Sequence, residues 1–143
     1  MNVTSILTAK GGNVITIEPT ATLGAAATLL AKHRIGAILV LGAGGRLVGI
    51  LSERDIVRTI VDGGRDVLDQ PVSQAMTRNV ATCGPDEPIH SIMERMTQGK
   101  FRHMPVLESG RLTGIISIGD VVKYRLDEME QESEAMRGYI QTA

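Results

Sequence analysis

The 143-residue chain balances 15 Lys and Arg against 16 Asp and Glu, for a formal net charge of −1, so it lacks the basic surplus with which proteins grip a phosphate backbone. Hydrophobic residues make up 43% and charged ones 22%, a globular composition that excludes disorder; two Tyr, one Phe and no Trp leave few rings for stacking on bases. The single cysteine excludes an internal disulfide or a Cys-rich zinc site. No apolar run nears the roughly 18 residues of a membrane span and no secretory leader pattern opens the chain, so a cytoplasmic protein with no nucleic-acid or membrane partner is expected.

In chain order, an apolar segment at 3–8 comes first. A short β-branched strand is predicted at 14–17, broken by Glu18-Pro19-Thr20. Thr20 or Thr22 then caps a helix whose inner face carries Leu23, Ala26, Ala27 and Leu30. A hairpin spans 37–51 with its turn in Gly42-Ala43-Gly44-Gly45, and Ser52 stands where it runs into the next helix. Residues 62–71, including Gly63-Gly64, form the connector. The order then returns: an apolar segment at 72–77, a strand at 80–83, and a Gly84-Pro85-Asp86 break with Asp86 as cap. A helix facing inward through Ile89, Ile92, Met93 and Met96 follows, then a hairpin at 104–117 and Ser117 as the last cap. From 121 to 140, Val122, Leu126, Met129, Met136 and Ile140 recur at helical spacing, with Glu128, Glu130, Glu132 and Glu134 mostly off that row. A long amphipathic helix is expected there.

The two passes are copies. Gly45 to Arg58 returns as Gly110 to Lys123 with eight of 14 positions identical, where average composition gives roughly one by chance. Each half alone would be marginal at this size, so two copies that complete each other are expected. A duplicated fold needs duplicated core residues; it has no equal need for a duplicated Ser52-x-x-Asp55 and Ser117-x-x-Asp120. One reading of that pair is a capping box, in which both side chains satisfy free N–H groups at a helix start. The other is functional. A helix N-terminus favours anions, Ser can donate to phosphate or ribose oxygen, and Asp can accept from the 2′- and 3′-hydroxyls of a ribose. Together they suit a ribonucleotide.

With those motifs, Gly49 to Asp55 and Gly114 to Asp120, the chain resembles a stand-alone pair of cystathionine-beta-synthase (CBS) domains, a Bateman module, over essentially all its length. The resemblance implies an α+β fold in which two β-α-β-β-α motifs pack sheet to sheet with pseudo-two-fold symmetry, followed by a C-terminal helical extension. It divides the chain into 1–70, a first motif with its N-terminal segment, 71–126, a second motif, and 127–143, the extension, folding as one module. It also implies two clefts for adenosine-containing effectors such as AMP, ADP, ATP, NAD or S-adenosylmethionine. One would combine Ser52 and Asp55 with Thr82, Arg102, His103 and Met104; the other Ser117 and Asp120 with Thr16, Gly36, Ala37 and Ile38. The Asp residues would hold ribose, the Thr and Ser residues ribose or phosphate, and backbone near Ala37 and Met104 the adenine edge. Arg54, Arg102 and His103 make the first cleft the more cationic, so it is expected to take more phosphate, and the second a smaller or less charged adenosine compound.

Other readings of single residues stand beside these. Arg102 fits a solvated strand end, and His103 a hydrogen-bonded structural imidazole or a metal ligand. His33 and His90 fit exposed helix positions, Cys83 a small packed side chain, and Met93, Met96 and Met104 core filler. No nucleophile–base pair and no phosphate-binding loop is apparent, so no enzyme, catalytic residue or metal site is expected and a nucleotide would be an effector. Two functions follow: a nucleotide-sensing module acting on a separate effector protein, or a ligand-independent dimerisation adaptor. The resemblance implies a homodimer in either case.

Overall fold

The structure, a computed structural model, describes residues 1–142. It divides into two compact units. The first unit is the continuous segment Asn13–Ala81, and the second joins Met1–Gly12 to the chain from Thr82 onward.

In the first unit, β1 (Thr16–Ile17) runs parallel to β2 (Ala37–Leu41), which pairs antiparallel with β3 (Leu47–Ser52). The helix α2 (Leu23–His33) makes the crossover between the parallel strands, and α3 (Glu53–Gly63) starts directly after β3. Thr22, not Thr20, caps α2, its side chain accepting from the N–H of Ala25 at 3.1 Å. The expected inner face is the one buried: Leu23, Ala26 and Leu30 pack with Ile38, Val40, Leu51 and Ile56. Burying such aliphatic side chains contributes about 1.5–3 kcal/mol each, before the chain entropy that opposes it.

The second unit repeats the hairpin as β4 (His103–Glu108) and β5 (Arg111–Ser117), preceded by α4 (Ile89–Gly99) and followed by α5 (Ile118–Thr142), a helix of 25 residues. Both hairpins carry a register shift at the same place, after Val40 and after Val106. The strand expected at 80–83 is reduced to one parallel bridge between Cys83 and Val106. Pro105 stands where the first copy has Leu39, whose N–H donates to the Ile15 carbonyl; proline has no N–H to give. Asp86 does not cap α4. Its N-cap is Pro88, without a side-chain bond. The neighbouring Glu87 carboxylate instead accepts from the Gly84 N–H at 2.7 Å and pairs with Arg95 at 3.1 Å.

The segments ahead of each copy are exchanged. Residues 3–8, grouped by sequence with the first copy as part of 1–70, form α1 (Val3–Lys10) and fold onto the second copy. Residues 72–77 fold onto the first. The bonds match in kind: Val3 N–H donates to the Glu87 carbonyl and Ile89 N–H to the Met1 carbonyl, while Val72 N–H donates to the Ala21 carbonyl and Leu23 N–H to the Gln70 carbonyl. Each segment thus satisfies the first free N–H of the helix it meets and crosses the glycine of the repeated motif. Gly49 lies against Met76 and Thr77, and Gly114 against Leu7. Val3, Ile6 and Val72 are fully buried, which anchors the exchange.

Candidate functional site

The local chemistry of the motif explains its geometry. β3 ends at Ser52 and β5 at Ser117, and a helix begins on the next residue in each case. Ser52 N–H donates to Asp55 Oδ2 at 2.9 Å, Ser52 Oγ donates to the same oxygen at 3.0 Å, and Asp55 N–H donates back to Ser52 Oγ at 3.2 Å. In the second copy Ser117 N–H reaches Asp120 Oδ2 at 2.9 Å and Asp120 N–H returns to Ser117 Oγ at 3.1 Å. Both are capping boxes, yet each cap uses only one carboxylate oxygen. Among the described residues no hydrogen bond ends on Asp55 Oδ1, which has Arg58 Nη1 at 3.9 Å, and none ends on Asp120 Oδ1. Each helix start therefore keeps an open anionic acceptor beside a hydroxyl.

The residues expected to accompany the motifs are placed as follows. In the first unit Ala37 lies opposite Ser52, and the Gly36 carbonyl accepts from Glu53 N–H at 2.9 Å, so Gly36, Ala37 and Ile38 lie at the same sheet end as Ser52, Arg54 and Asp55. Thr16 sits in β1 opposite Leu39. In the second unit His103 lies opposite Ser117 and Met104 opposite Ile116, and the Arg102 carbonyl accepts from Ile118 N–H at 2.8 Å. Thr82 precedes the bridge at Cys83, its carbonyl accepting from Arg95 Nη2 at 2.7 Å. Ala37, Ile38 and Met104 are buried, whereas Thr16, Arg54 and Arg102 are exposed. Met96 and Met104 are core residues, and His33 and His90 are exposed.

One residue absent from the sequence reading joins the second motif. Lys10 Nζ, at the end of α1, donates to Asp120 Oδ2 at 2.7 Å and to the Ile115 carbonyl at 3.0 Å. No spacing signal in the chain pairs residues so far apart. Burial acts to raise the Asp120 carboxyl, but the hydrogen bond from Lys10, the bond from Ser117 N–H and the Lys10 charge outweigh it and hold the group below the ordinary 3.8. A carboxyl lowered on folding contributes stability above its unfolded value and loses it as pH falls through the folded one. Asp120→Asn is therefore expected to cost about 1 kcal/mol near neutral pH. That gap should close as the wild type is acidified, and urea melts from about pH 7 to about pH 2 measure it. A gap that widens on acidification would contradict the assignment.

Cys83 is buried, and its thiol is pushed up to about 12, chiefly by burial and further by the Glu87 charge, against an opposing pull from Arg95. Only the thiolate is nucleophilic, so alkylation of the native protein at about pH 8 is expected to be at least tenfold slower than of the urea-unfolded chain. Equal rates would refute this. Among the described residues no cluster of His, Cys, Asp and Glu is suited to a metal ion, and no helix is long and apolar enough to cross a membrane.

The hairpin that delivers Ser-x-x-Asp to a helix start occurs twice, so the chain is a tandem repeat of one structural motif. The family model for the CBS domain matches twice, over residues 3–62 and 72–127, and the chain belongs to the CBS domain family. A CBS-domain containing protein of Agrobacterium tumefaciens is similar in structure, with a TM-score of 0.84 and 48% identity, covering 87% of this chain and 92% of its own. An uncharacterised 17.7 kDa protein of Acidianus ambivalens is 36% identical over 126 residues, 87% of this chain and 73% of that protein. The CBS domain pair of protein MJ0100, solved in complex with 5-methylthioadenosine and S-adenosyl-L-methionine, has a TM-score of 0.79 at 26% identity, covering 90% of this chain and 98% of that one.

Proposed function

We propose that the protein is a regulatory module that binds adenosine-containing nucleotides at two unequal sites and signals their presence by a change of conformation or assembly. The observation that carries this reading is the open Oδ1 of Asp55 and of Asp120. The cap occupies one carboxylate oxygen, and a ribose 2′- or 3′-hydroxyl can donate to the other with the cap intact. The adenosine compounds bound by the MJ0100 pair support the same ligand class here. In this reading Thr16, Gly36, Ala37, Ile38, Ser52, Arg54 and Asp55 of the first unit bind nucleotide. So do Thr82, Arg102, His103, Met104, Ser117 and Asp120 of the second. The ligand is an effector, and its binding energy moves an equilibrium only to the extent that two states bind it differently.

Calorimetry with AMP, ADP, ATP, NAD, S-adenosylmethionine and methylthioadenosine on nucleotide-free protein tests the proposal, and failure of all six to bind would end it. A second reading, a ligand-independent adaptor, is favoured by α5, on which Leu126, Met129, Met136, Tyr139 and Ile140 are all exposed. Such a row at helical spacing suits a partner helix, and we propose that it helps to hold a homodimer. Sedimentation velocity at micromolar concentration is expected to show a dimer; a monomer alone would refute it.

A further inference from the structure

The two motifs differ in what stands beside the carboxylate. Asp55 has Arg58 of its own helix at 3.9 Å, on a side chain two-thirds exposed. Asp120 has the ammonium of Lys10, delivered by a different element and held at two points, Asp120 Oδ2 and the Ile115 carbonyl. Aligning the crossing segments through Val3 and Val72 puts Asn79 in the place of Lys10, so this cation belongs to the second motif alone.

α1 fixes the lysine firmly. Val3 and Ile6 are fully buried, Asn2 and Ser5 form a capping box at its start, and Gly11 N–H closes its end on the Leu7 carbonyl at 2.8 Å. An ammonium carries three N–H donors; two are committed within the protein, and the side chain is still one-third exposed. What remains is an ordered charge with a spare donor, next to an oxygen that the cap leaves open.

We propose that Lys10 sets the charge selectivity of the second motif: its third N–H and its positive charge receive a phosphate carried by a ribonucleoside whose hydroxyls rest on Asp120. The inference rests on the nucleotide reading above and deepens it. Without Lys10 a phosphate would face the bare Asp120 carboxylate. With it the carboxylate is neutralised and the lysine, already ordered, loses little freedom on binding. Ile118 and Gly119, which alone would suggest a weakly charged ligand, are then only part of the surroundings.

The experiment titrates AMP and adenosine into proteins carrying Asp55→Asn, so that the second motif is read by itself. With Lys10 present AMP is preferred. Lys10→Met is expected to lower the ratio of AMP to adenosine affinity roughly tenfold, the scale of one unit charge a few ångströms away at a protein surface. Lys10→Arg is expected to restore most of the ratio, and Lys10→Gln repeats the neutral test should the methionine variant fold poorly. The preference should shrink with added salt only where a cation is present at position 10. An unchanged ratio in both neutral variants overturns the proposal, as does equal weakening of AMP and adenosine, the mark of a purely structural lysine. If the wild-type protein binds neither compound, the role of Lys10 falls, and the nucleotide reading falls with it only if the other adenosine compounds also fail to bind. If it binds both and the ratio does not move, only the role of Lys10 is lost.

Discussion

Gly49→Ala is expected to destabilise the protein by about 2 kcal/mol, the middle of the range for forcing a group into a packed interior, and to lower the melting temperature by on the order of 10 °C. A Cβ there would stand 2.6 Å from Met76 Sδ, 2.9 Å from Met76 Cγ and 3.0 Å from the Thr77 carbonyl oxygen. The methionine is buried, and the backbone of Thr77 cannot retreat freely. Its carbonyl accepts from Ile50 N–H at 3.0 Å and its N–H donates to the Ile50 carbonyl at 2.9 Å. The equivalent Gly114→Ala meets only the end of the Leu7 side chain, at 2.6 and 3.1 Å to its methyl carbons, and a rotamer change relieves most of that. It should cost about 1 kcal/mol. Thermal melts of the two variants decide the matter, and a Gly114 variant as damaged as the Gly49 variant would show that the crossing segment yields equally on both sides. The motif glycine is thus explained by packing, independently of any ligand.

Asp55→Asn is expected to weaken nucleotide binding at the first motif by about 10- to 100-fold while leaving the fold nearly intact. The fold change corresponds to losing a hydrogen bond to a charged acceptor, about 1.5–3 kcal/mol. Asparagine keeps one oxygen, which can still accept from Ser52 N–H and preserve the cap, but it puts an NH₂ donor in place of Oδ1 and removes the charge. Calorimetry and the ligand-induced rise in melting temperature read the loss, and the melting temperature of the ligand-free variant reads the cap. Full retention of nucleotide affinity together with a drop of several degrees in the ligand-free protein would reduce Asp55 to a helix cap and favour the adaptor reading.

What could be read from the chain was local or repeated. The hairpins, the inner faces of α2 and α4, the extent of α5 and the capping role of Ser-x-x-Asp all follow from periodicity and from residues within a few positions of each other. The duplicated Gly49–Asp55 phrase also led to the family. What escaped was long-range or depended on a single substitution. The segments at 3–8 and 72–77 have similar apolar patterns, so nothing but tertiary packing tells which copy each one joins. Lys10 sits 110 positions from Asp120, beyond the reach of any spacing rule. Pro105 removes a ladder N–H whose importance appears only when β4 is seen beside Cys83. Asp86 looks like a cap by composition, but Pro88 holds the cap position without a side-chain bond and the Met1 carbonyl, ahead of α1, accepts from the Ile89 N–H.

The exchange of segments also imposes an order of events on the nascent chain. The first unit is continuous and ends at Ala81, so it can close as soon as that stretch has left the ribosome. The α1 helix emerges ahead of that unit, yet its hydrogen-bonding partner Pro85 lies 81 positions after Thr4 and Asp120 later still. Throughout that interval Val3 and Ile6 have no interior to enter. A helix made before the first unit is therefore secured after it, and α1 is where a chaperone or a protease would find an incomplete molecule.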